Sequence, residues 1–211
     1  MQYLTIAMTL IRCNYKQLAD QQKPVCRAYL SSMQMYFIAI VLPAFLNEKV
    51  LKYKNMMLEK YNCKVGLKSP AHITLVPPFW MEEEKEGSLT ADLDKLSKQL
   101  YQFTISTNNF SAFKPKTIFI EPIVTDELRG AKQMMDNFFI ENAFYNIKIE
   151  TRPFHPHITI ATRDLYKKSF YEIWPWFAEK QFTEEWIAEG ISILKHNKKN
   201  WDVIHTSQFQ Q

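Results

Sequence analysis

Apolar and polar positions fall into short blocks whose period changes repeatedly along the chain. Tyr36-Phe37-Ile38-Ala39-Ile40-Val41-Leu42 is an unbroken apolar run ended by Pro43, the pattern of a central strand. From Ala44 to Tyr61 the period becomes helical. Phe45, Val50, Leu51, Met56, Met57, Leu58 and Tyr61 recur among lysines and glutamates, and Asn62 ends the helix. A strand follows from His72. It is expected to close at Val76-Pro77-Pro78-Phe79-Trp80, because consecutive prolines cannot continue a hydrogen-bonded central strand. Met81 to Gly87 reads as an acidic surface loop. Ser88 or Thr90 then caps a helix to about Leu100, with Leu89, Leu93, Leu96 and Leu100 on one face.

The second half repeats this alternation. Phe103 to Thr107 reads as a strand, and Phe110, Phe113 and Thr117-Ile118-Phe119-Ile120 continue the β pattern until Pro122 breaks it. Thr125 or Asp126 caps a helix to Glu141, striped by Leu128, Met134, Met135, Phe138 and Phe139. Ile147 to Glu150 is predicted as a brief strand, followed by a second strand around His157. Leu165 to Lys180 is amphipathic and aromatic-rich. Trp186 to Ala188 and Ile191 to His196 are strand-like, and Asn197 to Asn200 turns the chain back into Trp201 to Thr206. Short strands interspersed with helices, with connections too varied for a regular βαβ series, predict an α+β protein. Residues 1–32 differ from the rest, being mostly polar from Asn14 to Arg27 with Pro24 in the middle. They read as a peripheral extension without a catalytic role, leaving residues 33–211 as one domain.

At 211 residues, with 15 Phe, 10 Tyr and 5 Trp, the chain can build a sizeable core. Only four glycines are present, and neither a Rossmann nor a P-loop glycine pattern occurs. The net charge of +4 mildly favours anionic partners without marking a nucleic-acid-wrapping surface. Cys13, Cys26 and Cys63 form no Cys-x-x-Cys pair and no metal-like spacing with histidine, which fits a reducing, cytoplasmic setting; a Cys13–Cys26 disulfide stays open. No apolar run is long enough to span a bilayer, and the apolar N-terminus lacks the basic flank of a signal peptide. No membrane association is expected.

One pattern is written twice. Pro70-Ala71-His72-Ile73-Thr74-Leu75-Val76 and Phe154-His155-Pro156-His157-Ile158-Thr159-Ile160-Ala161 each carry His-Ile-Thr followed by an aliphatic residue. In a strand, side chains alternate between faces, so His72 and Thr74 share one face while Ile73 and Leu75 anchor the other. His157 and Thr159 do the same over Ile158 and Ile160. Two units of an imidazole beside a hydroxyl suggest two halves facing one substrate. The plainer alternative is two unrelated histidines beside two sheet threonines. His196 and His205, without such a context, read as surface or hydrogen-bonded histidines.

The paired motifs resemble the signature of the 2H phosphoesterase superfamily, which includes bacterial RNA 2′,3′-cyclic phosphodiesterases, also called 2′-5′ RNA ligases. Its members carry two His-x-Thr/Ser-x motifs with a hydrophobic last position, supplied here by His72, Thr74 and Leu75, and by His157, Thr159 and Ile160. The resemblance covers about residues 35 to 206 and implies two pseudo-symmetric lobes, each an antiparallel sheet with helices outside, lining a central cleft. It implies His72 and His157 as general acid and base, and Thr74 and Thr159 as phosphate-binding hydroxyls. Opening a cyclic phosphodiester needs a base to activate water and an acid to protonate the departing oxygen. An imidazole titrating near neutrality can serve either role. The scheme needs no metal, and no cofactor is expected.

The expected substrate is a terminal 2′,3′-cyclic phosphate of single-stranded RNA or a small cyclic nucleotide, such as ADP-ribose 1″,2″-cyclic phosphate, handled by a monomer. A 2′-5′ RNA ligase and a non-catalytic RNA- or nucleotide-binding module of the same fold are the alternatives. Lys68, Arg152 and His155 are candidates for the substrate rim, and Arg163, Lys114 and Lys116 for further phosphate contacts, each weighed against an ordinary surface role. Tyr36 and Phe79 are candidates to stack on a base, weighed against core packing.

Overall fold

The computed structural model describes residues 33–149 and 152–211. The expected extension at residues 1–32, and any Cys13–Cys26 pairing, lie outside the described residues. Among the described residues, eight strands and four α-helices follow one another as β1 (Met33–Val41), α1 (Ala44–Tyr61), β2 (His72–Glu82), α2 (Glu86–Ser97), β3 (Phe103–Phe113), β4 (Thr117–Pro122), α3 (Asp126–Glu141), β5 (Ile158–Ala161), α4 (Lys167–Ala178), β6 (Glu185–Ala188), β7 (Gly190–His196) and β8 (Trp201–Gln208). The strands form two four-stranded antiparallel sheets, β2-β1-β7-β8 and β5-β4-β3-β6.

A pseudo-symmetry runs through this order. In the first lobe β1 leads through α1 to β2, which returns antiparallel beside β1 at the sheet edge. In the second lobe β4 leads through α3 to β5, which returns beside β4 at the other sheet's edge. The lobes are tied crosswise, since α1 packs against β5 and α3 against β2. Each lobe's helix thus supports the other lobe's edge strand.

Local chemistry explains the boundaries. The buried face of α1 carries Leu46, Val50 and Met57. Asn62 ends the helix in the left-handed conformation at φ 56°, its backbone N–H donating to the carbonyl of Leu58 and that of Cys63 to the carbonyl of Met57. In α3 the Thr125 hydroxyl accepts the N–H of Leu128 at 3.3 Å, an N-cap of the predicted kind.

Strand β2 does not stop at the prolines, contrary to the expectation above. It continues to Glu82, and Met81 is buried rather than part of a surface loop. Two features permit this. β2 is an edge strand, and its register with β1 slips, so that Phe79 faces Tyr36 and Val76 faces Ile38. Pro77 and Pro78 together stand opposite Phe37, a bulge where missing N–H groups cost little. The strand predicted at Ile147 to Glu150 is not formed: residues 147 to 149 have no regular structure, and Glu150 is outside the described residues.

Candidate active site

The two motifs begin as strand alternation predicts. Ile73 and Leu75 are fully buried while His72 and Thr74 on the other face remain partly accessible; Ile158 and Ile160 are buried beneath Thr159 in the same way. Each buried aliphatic side chain contributes roughly 1.5–3 kcal/mol. A slip of one residue would expose these anchors and bury the polar pair, so the register that presents the imidazoles and hydroxyls is strongly held. Pairing aligns His72 with Val41 and Thr74 with Ala39, and Thr159 with Phe119. His157 sits just before β5 rather than within it.

His72, Thr74, His157 and Thr159 line one cavity of about 440 Å³. The turn of 3₁₀ helix at Val65–Lys68 contributes Val65, Gly66 and Lys68, and β7 and β8 contribute His196 and Trp201. The lining contains Lys54, Lys68 and Arg163 but no carboxylate, so the cavity is suited to an anion. A larger groove of about 690 Å³ runs along α3 and is lined by none of His72, Thr74, His157 and Thr159. Among the described residues no three His, Cys, Asp or Glu side chains gather as a metal cage would require.

The histidines are held alike. The Nδ1–H of His72 donates to the carbonyl of Pro70 at 2.7 Å, and that of His157 to the carbonyl of His155 at 2.9 Å. A carbonyl only accepts, so each neutral ring carries its proton on Nδ1, leaving Nε2 as the nitrogen that can take up or release a proton. Aromatic rings pack against both. Phe37 lies 4.8 Å from the His72 ring centroid and Phe113 5.2 Å from that of His157. Burial pushes His72 down to about 4; the Pro70 carbonyl opposes this shift, and the positive charges of Lys54 and of His157 when protonated add to it. Burial also lowers His157, again opposed by its carbonyl partner. Near neutral pH both rings are therefore neutral in the empty cavity.

The remaining predicted residues divide. Lys68 lines the cavity. Arg163 does too, from a backbone at φ 47°. The next residue, Asp164, accepts the N–H groups of Lys64 and Val65 at 2.5 and 2.9 Å, tying the Arg163 turn to the cavity's 3₁₀ wall. His155 contributes its carbonyl to His157, while its exposed side chain lies 3.6 Å from Glu121, outside the lining. Arg152 is exposed and also outside it.

Tyr36 and Phe79 do not serve as a base-stacking rim. Both are buried core residues whose rings pack against each other, and the Tyr36 hydroxyl donates to Glu86 at 2.9 Å. Strand alternation puts Tyr36 on the core face with Ile38 and Ile40, and the two register shifts together leave Phe79 on the core face with Ile73 and Leu75. The aromatic wall is instead Phe37, with Trp201 at 4.7 Å, and His196 at 4.9 Å from Trp201.

Lys54 was not anticipated. It occupies the α1 face of Leu46, Val50 and Met57, where the helical period calls for an apolar residue. That mismatch is the signal by which the sequence could have shown it.

Comparison with known proteins agrees with this architecture. A family profile described as the 2′-5′ RNA ligase superfamily matches residues 47–200. A protein of Oceanobacillus iheyensis, provisionally assigned as a phosphoesterase, is 29% identical over 177 residues, covering 81% of this chain and 95% of its own. The crystal structure of a Thermus thermophilus protein aligns with TM-score 0.58 at 19% identity, over 83% of this chain and 98% of that one. E. coli LigT in its apo form aligns with TM-score 0.59 at 16% identity, over 85% and 99%. LigT has also been solved with 3′-AMP, and that structure aligns with TM-score 0.55 at 17% identity, over 84% and 99%. At these identities the structural likeness is one of fold. The profile match spans most of the chain, and with it the chain belongs to the 2′-5′ RNA ligase superfamily, within the 2H phosphoesterases whose signature its paired motifs resemble.

Proposed function

We propose that this protein is a metal-independent cyclic phosphodiesterase in which His72 and His157 exchange protons with the reacting oxygens and Thr74 and Thr159 hold the phosphoryl group. The observation that carries the reading is that both His-Ile-Thr faces open into one carboxylate-free cavity, each imidazole anchored through Nδ1. In the opening of a 2′,3′-cyclic phosphate, one neutral imidazole takes a proton from water as the water oxygen bonds to phosphorus. The other imidazole, protonated, gives its proton to the ribose oxygen as the P–O bond to that oxygen breaks. The product is a phosphomonoester beside a free hydroxyl, and exchange with solvent restores both rings. The threonine hydroxyls donate to the non-bridging oxygens, where charge develops in the transition state.

The roles are unlike although the motifs are alike. His72 carries the larger downward shift and is acted on by the charge of Lys54, which favours its neutral form and hence the base role. His157 is then the acid, protonated when the substrate's anionic phosphate raises its pKa. Trp201 and His196 give the rim an aromatic face suited to a nucleobase. LigT has been solved with 3′-AMP, which agrees with a terminal nucleotide as the ligand class.

Ligation is the same displacement with the hydroxyl of a second RNA in place of water: its oxygen bonds to phosphorus as one imidazole takes its proton, and the ribose oxygen departs with the proton of the other. Product analysis on a panel tests the reading: nucleoside 2′,3′-cyclic phosphates, RNA ending in one, ADP-ribose 1″,2″-cyclic phosphate and 2′-5′-linked RNA. Hydrolysis of at least one cyclic phosphate in the presence of a chelator is expected. Binding of all four without product would instead favour a nucleotide-binding module.

A further inference from the structure

Lys54 is 4% exposed, yet it lines the cavity. Its Nζ donates to the Ser69 carbonyl at 3.1 Å, which engages one of its three hydrogens. Among the described residues it has no ion pair, and the cavity wall offers no carboxylate to provide one. An ammonium removed from water without a counter-charge is costly, and a fold that needed only a filled helix face would place an apolar side chain here. The other two cations of the wall, Lys68 and Arg163, are exposed and screened by solvent. We propose that Lys54 is a phosphate-binding residue, its ammonium supplying the counter-charge and a hydrogen-bond donor to the phosphoryl group that enters between His72 and His157.

This deepens the phosphodiesterase reading of the same cavity. The arrangement has a further effect on the chemistry. Lys54 acts electrostatically on His72, disfavouring its protonation, so the residue that attracts the phosphate also keeps that ring available as a base. Burial draws Lys54 itself down to about 8. The other titratable groups facing it across the cavity are Lys68, His72, His157, Arg163 and His196. Both motif histidines lie below their ordinary value, leaving Lys54 to lose charge just above neutrality.

Inorganic sulfate is a suitable probe, because it remains a dianion throughout this range and is not turned over. Its binding to the full-length protein would be measured by calorimetry between about pH 7 and about pH 9.5 for wild type, Lys54→Met and Lys54→Arg. A hydrogen bond to a charged group corresponds to roughly a tenfold change in affinity or more. Wild-type affinity should therefore fall about tenfold across the range. Lys54→Met should start about tenfold weaker and fall less steeply than wild type, the remaining fall being that of the His157 proton that a bound anion favours, and Lys54→Arg should keep wild-type affinity at neutral pH and show the same shallower fall. A Lys54→Met variant binding sulfate within about twofold of wild type at neutral pH would overturn the proposal. So would a wild-type profile flat across the range, and that measurement decides the matter alone if neither variant folds. Because no bond is broken, failure here leaves the two-histidine chemistry standing, and failure of that chemistry leaves this measurement intact.

Discussion

Replacing Lys54 by methionine keeps the length of the side chain and removes its charge. Burial holds the Lys54 ammonium at about 8, against an ordinary 10.5. Between these values the unfolded chain binds more protons than the folded one, so wild-type stability rises with pH across the window. The cost of the buried charge is fully present below about pH 8 and is relieved as the folded protein loses the proton. One pKa unit corresponds to about 1.36 kcal/mol, so the whole span is about 3 kcal/mol and the part between pH 7 and pH 10 is roughly 2.5 kcal/mol. Methionine has no proton to lose. The lost hydrogen bond to Ser69 shifts the variant at every pH and largely cancels in the comparison between pH values. Urea unfolding of both proteins at about pH 7 and about pH 10 measures the effect. Relative to wild type, the variant should lose about 2–3 kcal/mol of stability over that interval. A gap constant to within about 0.5 kcal/mol would mean that Lys54 is not a desolvated ammonium.

Two further outcomes follow from the site. A phosphodiester with a 4-nitrophenolate leaving group needs no general acid, so His157→Ala should retain most of its rate on that substrate while His72→Ala should not; the opposite pattern would reverse the assigned roles. Gly66→Ala would place a Cβ 2.3 Å from the backbone oxygen of Ile160, in the motif strand β5. The variant should lose about 1–3 kcal/mol in urea unfolding, with turnover reduced beyond the loss of folded protein because Thr159 precedes the displaced residue. Unchanged stability would show that the 3₁₀ turn can move away without cost.

Much of this could be read before the structure because the informative patterns are local. The apolar stripe of α1 and its ending at Asn62, the Thr125 cap of α3 and the β7–β8 hairpin each depend on contacts within one element or between neighbours. The face shared by His72 and Thr74 follows from the strand period alone. The misreadings have non-local causes. The rules for a central strand end β2 at Pro77 and Pro78, but β2 is an edge, a fact of topology. Tyr36 lies on the core face that strand alternation gives it with Ile38 and Ile40, whereas Phe79 lies beyond the two prolines and meets it only through the β1–β2 register. His155 acts on the site through its carbonyl, which no side-chain pattern reveals. Lys54 was legible in principle as a cation on an apolar stripe. Recognising its relation to the cavity required knowing that α1 packs against the other lobe's motif strand.

The proposed two-histidine chemistry is argued from geometry, and rates test it most directly. The measurement is kcat on a nucleoside 2′,3′-cyclic phosphate for wild type, His72→Ala and His157→Ala, with urea unfolding to show that each variant is folded. A positioned acid or base contributes typically about 10²–10⁴-fold, so each single variant should fall by that factor while remaining folded. A folded His72→Ala or His157→Ala variant that retains its rate to within about threefold would contradict the assignment of that histidine to proton transfer.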